Sequence, residues 1–142
     1  MYRSFNRIPK LAIILTPNTE RRLSYEDLEA VTRHGIGAVD CSWATPEFLD
    51  KVDAKRGRTL PWLLAGNPVN YSTPGKLTTL EAFAAALWIT DFTNEAKQLL
   101  GLYKWGATFL TLNLDALEKY AGQDESMIKE SEHALLAEQM LS

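Results

Sequence analysis

The chain has 142 residues and a formal net charge of −3, and 46% of its residues are hydrophobic. This length suits one domain or two small lobes, since a domain of about 150 residues buries roughly 68–70% of the surface that its unfolded chain exposes. No apolar run approaches the roughly 18 residues that span a bilayer, and a single cysteine, Cys41, excludes an internal disulfide. We expect a cytoplasmic protein without a dedicated metal site, because the chain also holds only two histidines and no cleavable export signal.

The first half of the chain predicts alternating strands and helices. The apolar run at 10–15 (KLAIIL) is typical of a buried strand. Residues 23–35 (LSYEDLEAVTRHG) predict a helix that Ser24 caps, with acidic residues in the first turn and a glycine at the end. Further short strands are predicted at 36–43 (IGAVDCSW) and, after a loop, at 60–66 (LPWLLAG).

The second half of the chain predicts helices. Residues 66–77 form a loop rich in asparagine and proline, and Thr78 then stands three residues before Glu81, the spacing of a capping box. The helix that begins there is apolar on most sides, which predicts burial. Further helices are predicted across 93–141, the last of them capped by Asp124. The order indicates an α/β protein with a largely parallel sheet in its first half and helices packed on it.

Candidate ligand-binding residues follow the predicted strands, because ligands of open α/β sheets bind beyond the carboxyl ends of strands. Asp40 and Trp43 lie at the carboxyl end of the second predicted strand, where a carboxylate can act on a ligand and an indole can form a flat apolar wall. An Asp that only caps neighbouring amides and a Trp in the core are the ordinary alternatives. No glycine-rich nucleotide loop and no Ser-His-Asp set is present, so spacing alone indicates a small-molecule cleft.

Positive charge is concentrated in the first half of the sequence. Residues 1–61 carry a net charge of +2, whereas residues 62–142 carry −5. Such a basic region can contact phosphates, and the alternative is a solvated loop. The four basic side chains that cluster before the third predicted strand are Lys51, Lys55, Arg56 and Arg58.

Three segments carry a distinctive pattern in order along the chain. They are AVDCSW (38–43), LPWLLAGNPVNYSTPGKLTTLEAFAAAL (60–87) and YKWGATFLTLNLDALEKYA (103–121). Together they closely resemble the small-subunit rRNA aminocarboxypropyltransferase family. The pattern of that family runs approximately Asp-Cys-Ser-Trp, Leu-Pro-x-Leu-x-Ala-Ala-Asn-Pro-Val-Asn-Tyr-Gly, Lys-Leu-Ser/Thr-x-x-Glu-Ala, Phe-x-Trp-Gly and Asn-x-x-x-Leu-x-x-Tyr. The Asn-Pro-Val-Asn-Tyr block is the most specific part of the match.

The resemblance implies a transferase that uses S-adenosylmethionine (SAM). Such an enzyme donates the 3-amino-3-carboxypropyl group of SAM to the imino nitrogen of a pseudouridine, with or without a methyl group, in small-subunit rRNA. The expected partner is this rRNA or the pre-ribosomal small subunit. The implied fold is SPOUT-like, with an N-terminal α/β lobe at 1–59 and a knotted C-terminal lobe at 60–142 that ends in helices. A monomer is expected because the helices show no exposed apolar stripe.

The resemblance also assigns residues to the cofactor site. An apolar wall around the adenine would include Trp43, the Val39 carbonyl would bind the ribose, and a helix-start amide at Thr79 would bind the cofactor. Asp40 is the catalytic candidate, either as a base for the imino nitrogen or as a counter-charge for the sulfonium. The matched cofactor-binding positions are Leu15, Pro17, Val39, Trp43, Leu60, Gly75, Leu77, Thr79 and Ala82.

The sequence departs from the family pattern at three places. Ser72 and Gly66 replace a Gly and an Ala, which we interpret as small exchanges. Residues 1–9 do not match the family's first segment, Asp-x-x-x-Cys-Thr/Ser-Gly-x-Lys-Leu. Either the sequence is short at its N-terminus, or it is a divergent member that lacks the first strand of the N-terminal lobe and part of the site. Two alternatives therefore stay open, a SAM-dependent RNA methyltransferase of the SPOUT class and a non-catalytic relative that binds SAM or RNA.

Overall fold

A computed structural model of the protein describes residues 12–16, 19–38 and 55–141. A 3₁₀ turn (Tyr25–Asp27) leads into the first helix. No helix in the described ranges is long and apolar enough to cross a membrane. The strands are β1 (Ile13–Leu15), β2 (Ile36–Ala38) and β3 (Gly57–Arg58). The helices are α1 (Leu28–His34), α2 (Thr79–Ile89), α3 (Thr93–Leu100), α4 (Gly106–Tyr120) and α5 (Glu125–Leu141).

The sheet is parallel and has β1 at its centre, in the order β2-β1-β3. Ile14 is opposite Gly37 on one side and Gly57 on the other, and it has no solvent-exposed surface. A strand that is covered on both faces reads as a continuous apolar run, because neither set of alternating side chains meets water. The predicted α/β class with a parallel sheet in the first half is therefore confirmed.

The connection from β1 to β2 is stabilised by local capping. The Ser24 hydroxyl accepts a hydrogen bond from the Glu26 N–H at 3.2 Å, and the Asp27 carboxylate accepts one from the Ser24 N–H at 3.1 Å. At the other end α1 ends at Gly35, whose φ of +88° is strained for a residue with a side chain. His34 occupies the last turn of the helix, as the sequence predicts.

The prediction of a third strand at 60–66 is wrong. Residues 60–66 form no strand, and β3 lies just before them at Gly57–Arg58, inside the segment that the sequence predicts to be a loop. The apolar run pairs with no strand of the sheet, and side chains from two helices bond to part of its backbone. The Trp62 N–H donates to the Glu132 carboxylate at 2.7 Å, and Pro61 has no N–H to donate. The apolar run is buried as predicted, but by helices.

Helix α2 occupies the centre of the hydrophobic core. It packs against α3, α4 and β2, and Phe83, Trp88 and Ile89 on it are buried. Ala84, Ala85 and Ala86 are each at most 1% exposed. Because these consecutive residues point to different sides of the helix, this part of α2 is buried on every side. The prediction of a buried helix after the asparagine- and proline-rich loop is confirmed.

Arg58 is buried in the interior and is therefore not part of an exposed basic cluster. Its Nη2 is 3.1 Å from Asp27 Oδ1, and the two side chains are only 7% and 9% exposed. The guanidinium also donates to the Lys55 and Gly57 carbonyls at 3.0 and 2.8 Å. A buried charge needs this full set of partners, since its desolvation is otherwise uncompensated. Arg58 therefore joins β3 to the start of α1 and presents no charge to a polyanion.

We predict that Arg58→Met destabilises the fold by about 3–5 kcal/mol, because Asp27 then stays buried without its cation. The free energy of unfolding in urea measures this loss. The matched control is Arg33→Met, since Arg33 pairs with Glu29 on the surface and an exposed pair contributes at most about 1 kcal/mol. Equal losses in the two variants would contradict a structural role for the buried pair.

Candidate functional site

The asparagine- and proline-rich loop is a hairpin, which we define as residues 63–75. The Gly75 N–H donates to the Leu63 carbonyl at 3.2 Å, and the Ala65 N–H donates to the Thr73 carbonyl at 3.1 Å. Between these bonds Leu64 and Pro74 form an antiparallel bridge. The segment is therefore an ordered hairpin, and hydrogen bonds fix the register of its two arms.

The tip of the hairpin, residues 66–72, is closed by hydrogen bonds of its own. The Asn67 Oδ1 accepts from the Asn70 N–H at 3.0 Å, and the Ser72 N–H donates to the Ala65 carbonyl at 2.6 Å. Ser72 adopts a φ of +62°, in the left-handed region that costs a residue with a Cβ roughly 1–2 kcal/mol. The family pattern has Gly at this position, and the backbone conformation gives the reason.

The carboxylate of Glu81 joins the tip of the hairpin to the N-cap of α2. Glu81 has no exposed surface, and three N–H groups converge on its two oxygens. Oε2 accepts from the Gly66 N–H at 2.6 Å, and Oε1 accepts from the Thr78 N–H and the Asn67 Nδ2, both at 2.9 Å. The predicted capping box is confirmed, and the same carboxylate also bonds to the tip. An ionised carboxylate suits this position because it only accepts hydrogen bonds.

Helix α4 holds the first arm of the hairpin through side chains on one of its faces. Asn113 bonds to both backbone groups of Leu64, since its Oδ1 accepts from the N–H and its Nδ2 donates to the carbonyl, each at 2.7 Å. The Tyr120 hydroxyl donates to the Trp62 carbonyl at 2.9 Å. Asn113, Leu117 and Tyr120 are the residues of the final family motif. The resemblance to the family marks these positions in the sequence. The fold shows what Asn113 and Tyr120 do, since they bond to backbone groups that a neighbouring strand would otherwise satisfy.

Helix α5 contributes a charged group at the base of the same arm. The Glu132 carboxylate accepts from the Trp62 N–H through Oε2 and from the Arg22 Nε through Oε1, at 2.7 and 3.1 Å. Burial raises the pKa of Tyr120, and the nearby Glu132 carboxylate raises it further. The Tyr120 hydroxyl therefore stays protonated at neutral pH and keeps its bond to Trp62.

Gly66 allows α4 to approach the hairpin closely. A Cβ added to Gly66 would lie 2.5 Å from both the backbone N and the Cα of Phe109. Real Cβ atoms do not approach a backbone so closely, so the Ala of the family pattern requires the hairpin or α4 to move. The exchange to Gly at this position is larger in its structural consequence than the sequence suggests.

The structure brings four predicted cofactor-binding side chains to one hydrophobic cluster. Leu15 ends β1 and is 5% exposed, while Leu60, Leu77 and Ala82 are partly buried against the same core. They come from a strand, from the approach to the hairpin and from the start of α2. These four side chains therefore belong to one hydrophobic core although their segments lie far apart in the sequence.

The predicted backbone contacts are more restricted than the sequence suggests. The Gly75 N–H is taken by Leu63, so this residue has only its carbonyl to offer a ligand. Thr79 is the first residue of α2, and its N–H has no acceptor within the part of the chain that the structure describes. Free N–H groups at a helix start favour anionic ligands. Thr79 is therefore placed as a donor and Gly75 as an acceptor.

The remaining predicted site residues divide into two groups. Lys55 is exposed and Arg56 is partly buried, whereas Arg58 is buried as described above. The other predictions fall outside the described residues, namely those for Pro17, Val39, Asp40, Trp43 and Lys51.

Comparison with protein families gives a match over most of the chain. The model of the family described as "Ribosome biogenesis protein, C-terminal" matches residues 13–136. These bounds include the sheet, the hairpin and most of the helical half of the chain.

Individual relatives agree with that match. The chain is 47% identical over 122 residues to the 16S rRNA aminocarboxypropyltransferase of Methanocaldococcus jannaschii, which covers 85% of this chain and 71% of the relative. It is 46% identical over 125 residues to the enzyme of that name from Methanobrevibacter smithii, covering 87% and 73%. Among solved structures, it is similar to the SAM-dependent rRNA:acp-transferase Tsr3 from Vulcanisaeta distributa. That likeness has a TM-score of 0.77 and 38% identity, and it covers 89% of this chain and 71% of the other.

We predict that Glu81→Gln loosens the hairpin. A glutamine side chain offers one acceptor oxygen and an NH₂ group, so a donor would face a donor at Gly66 or at Thr78. An unsatisfied buried group costs about 1–3 kcal/mol, and the Gly66 and Thr78 amides should exchange faster with solvent deuterium. Hydrogen exchange followed by NMR measures this change. The control Glu118→Gln makes the same chemical change on the exposed face of α4. Unchanged exchange at both amides would show that the clamp is dispensable.

Proposed function

The chain belongs to the ribosome biogenesis family that includes the 16S rRNA aminocarboxypropyltransferases, and we propose that it catalyses the same kind of transfer. The reaction would move the 3-amino-3-carboxypropyl group of SAM to the imino nitrogen of a pseudouridine in small-subunit rRNA. A C–N bond would form as the C–S bond of the sulfonium breaks, the thioether methylthioadenosine would leave, and the imino nitrogen would lose its proton. Family membership supports this proposal, and one structural observation carries it to the residue level. The Thr79 N–H at the start of α2 has no acceptor among the described residues, and this supports its proposed role as a donor to SAM.

The described residues fit the chemical groups of SAM. Leu15, Leu60 and Leu77 offer an apolar surface of the kind that an adenine ring requires. The Gly75 carbonyl can accept a hydrogen bond from the adenine amino group. The Thr79 N–H and the dipole of α2 favour the carboxylate of the aminocarboxypropyl arm, at about 0.3–1 kcal/mol from the dipole alone.

The choice of the transferred group rests on positioning. SAM supplies three electrophilic carbons on one sulfonium, and only the carbon that the nucleophile meets in line reacts. In the proposal Trp43 covers the methyl group, and Thr79 holds the carboxylate of the arm so that its reacting carbon faces the RNA. Asp40 stabilises the sulfonium as a counter-charge, or removes the proton of the imino nitrogen.

The RNA is proposed to enter as an unpaired loop, because pairing would engage the imino edge of the target base. Lys51, Lys55 and Arg56 are the proposed phosphate contacts, and Arg58 is removed from the set by its burial. The charge of this cluster is opposite to that of the phosphate backbone, which supports the assignment.

The finer structural expectations belong to the same proposal. These are a knotted C-terminal lobe at 60–142, an N-terminal lobe at 1–59, and a monomer that acts in the cytoplasm on the pre-ribosomal small subunit. The likeness to an rRNA:acp-transferase structure at a TM-score of 0.77 supports a shared chain path, on which the knot depends. Light scattering during size-exclusion chromatography tests the monomer.

Two labelled forms of SAM test the proposed reaction. The protein is incubated with unmodified small-subunit rRNA and with SAM that carries its label in the carboxyl carbon or in the methyl group. We expect the carboxyl label to enter the RNA and the methyl label to stay out. Methyl label in the RNA would identify a methyltransferase, whereas SAM binding without either label in the RNA would identify a binding protein.

A proline substitution tests the proposed role of the Thr79 amide. Proline is tolerated at the first position of a helix, and Thr78 before it already has the extended ψ of 164° that proline requires. We predict that Thr79→Pro, which removes the N–H together with the threonine side chain, weakens SAM binding roughly 10- to 150-fold, since a hydrogen bond to a charged group contributes about 1.5–3 kcal/mol. Calorimetric titration measures the affinity.

The matched control is Thr79→Ala, which removes the hydroxyl and keeps the N–H. The melting temperature of both variants should equal that of the parent, because the N–H has no acceptor among the described residues. Equal SAM affinities for the proline and alanine variants would remove the Thr79 amide from the site.

A further inference from the structure

The tip of the hairpin exposes its apolar side chains and buries a polar one. Val69 is 88% exposed and Tyr71 is 58% exposed, whereas Asn67 is only 4% exposed. Polar residues are usually outside and aromatic residues partly inside, so this arrangement is reversed. The bonds to Glu81 and Asn70 account for the buried Asn67. No contact within the described part of the chain accounts for the outward Val69 and Tyr71.

The backbone that carries these side chains is fixed before any partner binds. Asn70 bonds to Asn67, the Ser72 N–H bonds to Ala65, and the Thr73 N–H bonds to the Asn70 carbonyl at 2.9 Å. Pro68 adds a residue with a restricted φ next to Val69. A surface that is ordered in advance loses little entropy when it binds, so exposed side chains on it are suited to recognition.

The charge around the tip favours a polyanion. Between Thr59 and Leu80 the sequence holds a single charged residue, Lys76, and it is exposed. The rest of the second half is acidic, because residues 62–142 together carry −5. The hairpin and the residues that follow it to Leu80 therefore contribute one exposed cation and no carboxylate of their own, which suits contact with a phosphate backbone.

An exposed aromatic ring beside a lysine is a common means of binding single-stranded nucleic acid. Bases stack on the ring, and each such stack contributes about 1–3 kcal/mol. An apolar protein ligand would not require that the segment around Tyr71 lack acidic residues. The combination of ring, cation and missing acidic residues therefore favours unpaired RNA.

We propose that the hairpin tip is an RNA-contacting surface, on which Tyr71 stacks against an unpaired base next to the target nucleotide. Val69 contacts the same base or its neighbour, and Lys76 contacts a phosphate. This inference rests on the proposed function, because the same hairpin carries Gly75 and leads directly to Thr79.

Fluorescence anisotropy with a short, labelled oligouridine RNA tests the surface. We expect Tyr71→Ala to weaken RNA binding roughly 5- to 150-fold, in line with the loss of one stack. Tyr71→Phe should bind within about twofold of the parent, because the ring is retained. Lys76→Gln should lower the slope of log K against log salt by about 0.7, the value for one phosphate contact on a single strand.

The control for these variants is Tyr25→Ala, which removes another exposed tyrosine, from the 3₁₀ turn. SAM affinity is measured for each protein and should be unchanged by Tyr71→Ala. Parental RNA affinity in Tyr71→Ala, or a parent that does not bind the oligouridine, overturns the proposal. So does an equal loss of SAM affinity, which would place Tyr71 against the cofactor.

The proposed function and the proposed surface can fail separately. Transfer of the carboxyl label by the parent protein tests the function, whereas the RNA affinities test the surface without any turnover. A parent that transfers the label, together with a Tyr71→Ala variant that binds RNA normally, removes the surface alone. A parent that binds RNA through Tyr71 but transfers nothing keeps the surface and removes the function.

Discussion

Glu81 lies in the interior with three N–H groups directed at its two oxygens, and the geometry around it constrains the rest of the site. The carboxylate caps α2, and it fixes the tip at Gly66 and Asn67. The start of the helix and the hairpin therefore move as one unit. Any ligand that binds at Thr79 meets a backbone whose conformation is already determined. Pre-organisation of this kind lowers the entropic cost of binding and holds a reactive geometry within narrow limits.

The second constraint is that helices satisfy the backbone of an extended apolar segment. Asn113, Tyr120 and Glu132 bond to residues 62–64 in the positions that a neighbouring strand would occupy. This arrangement leaves the hairpin joined to α4 and α5 by directional contacts. It also gives the final family motif a structural meaning, since its Asn and Tyr act on a segment some fifty residues earlier in the chain. Motifs that are separate in the sequence form one unit in space.

One rigid hairpin carries both proposed activities of the site. Its second arm offers the Gly75 carbonyl and leads to the Thr79 amide, while its tip presents Tyr71 outward. In the proposal this places the cofactor and the RNA on neighbouring parts of one element. Because the transferred group is selected by alignment and not by intrinsic reactivity, a small displacement of the hairpin should reduce transfer more than it reduces binding of either ligand.

Local patterns determined much of this protein. The apolar run of β1, the capping box of Thr78 and Glu81 and the buried character of α2 follow from residues close in sequence, and they could be predicted. The family resemblance likewise provided the proposed cofactor-binding positions. Tertiary structure decided the rest. The ion pair of Arg58 with Asp27, and the absence of a strand at 60–66, could not be read from the sequence. The reason is physical: burial and hydrogen bonding of these groups depend on partners that only the folded chain brings within bonding distance.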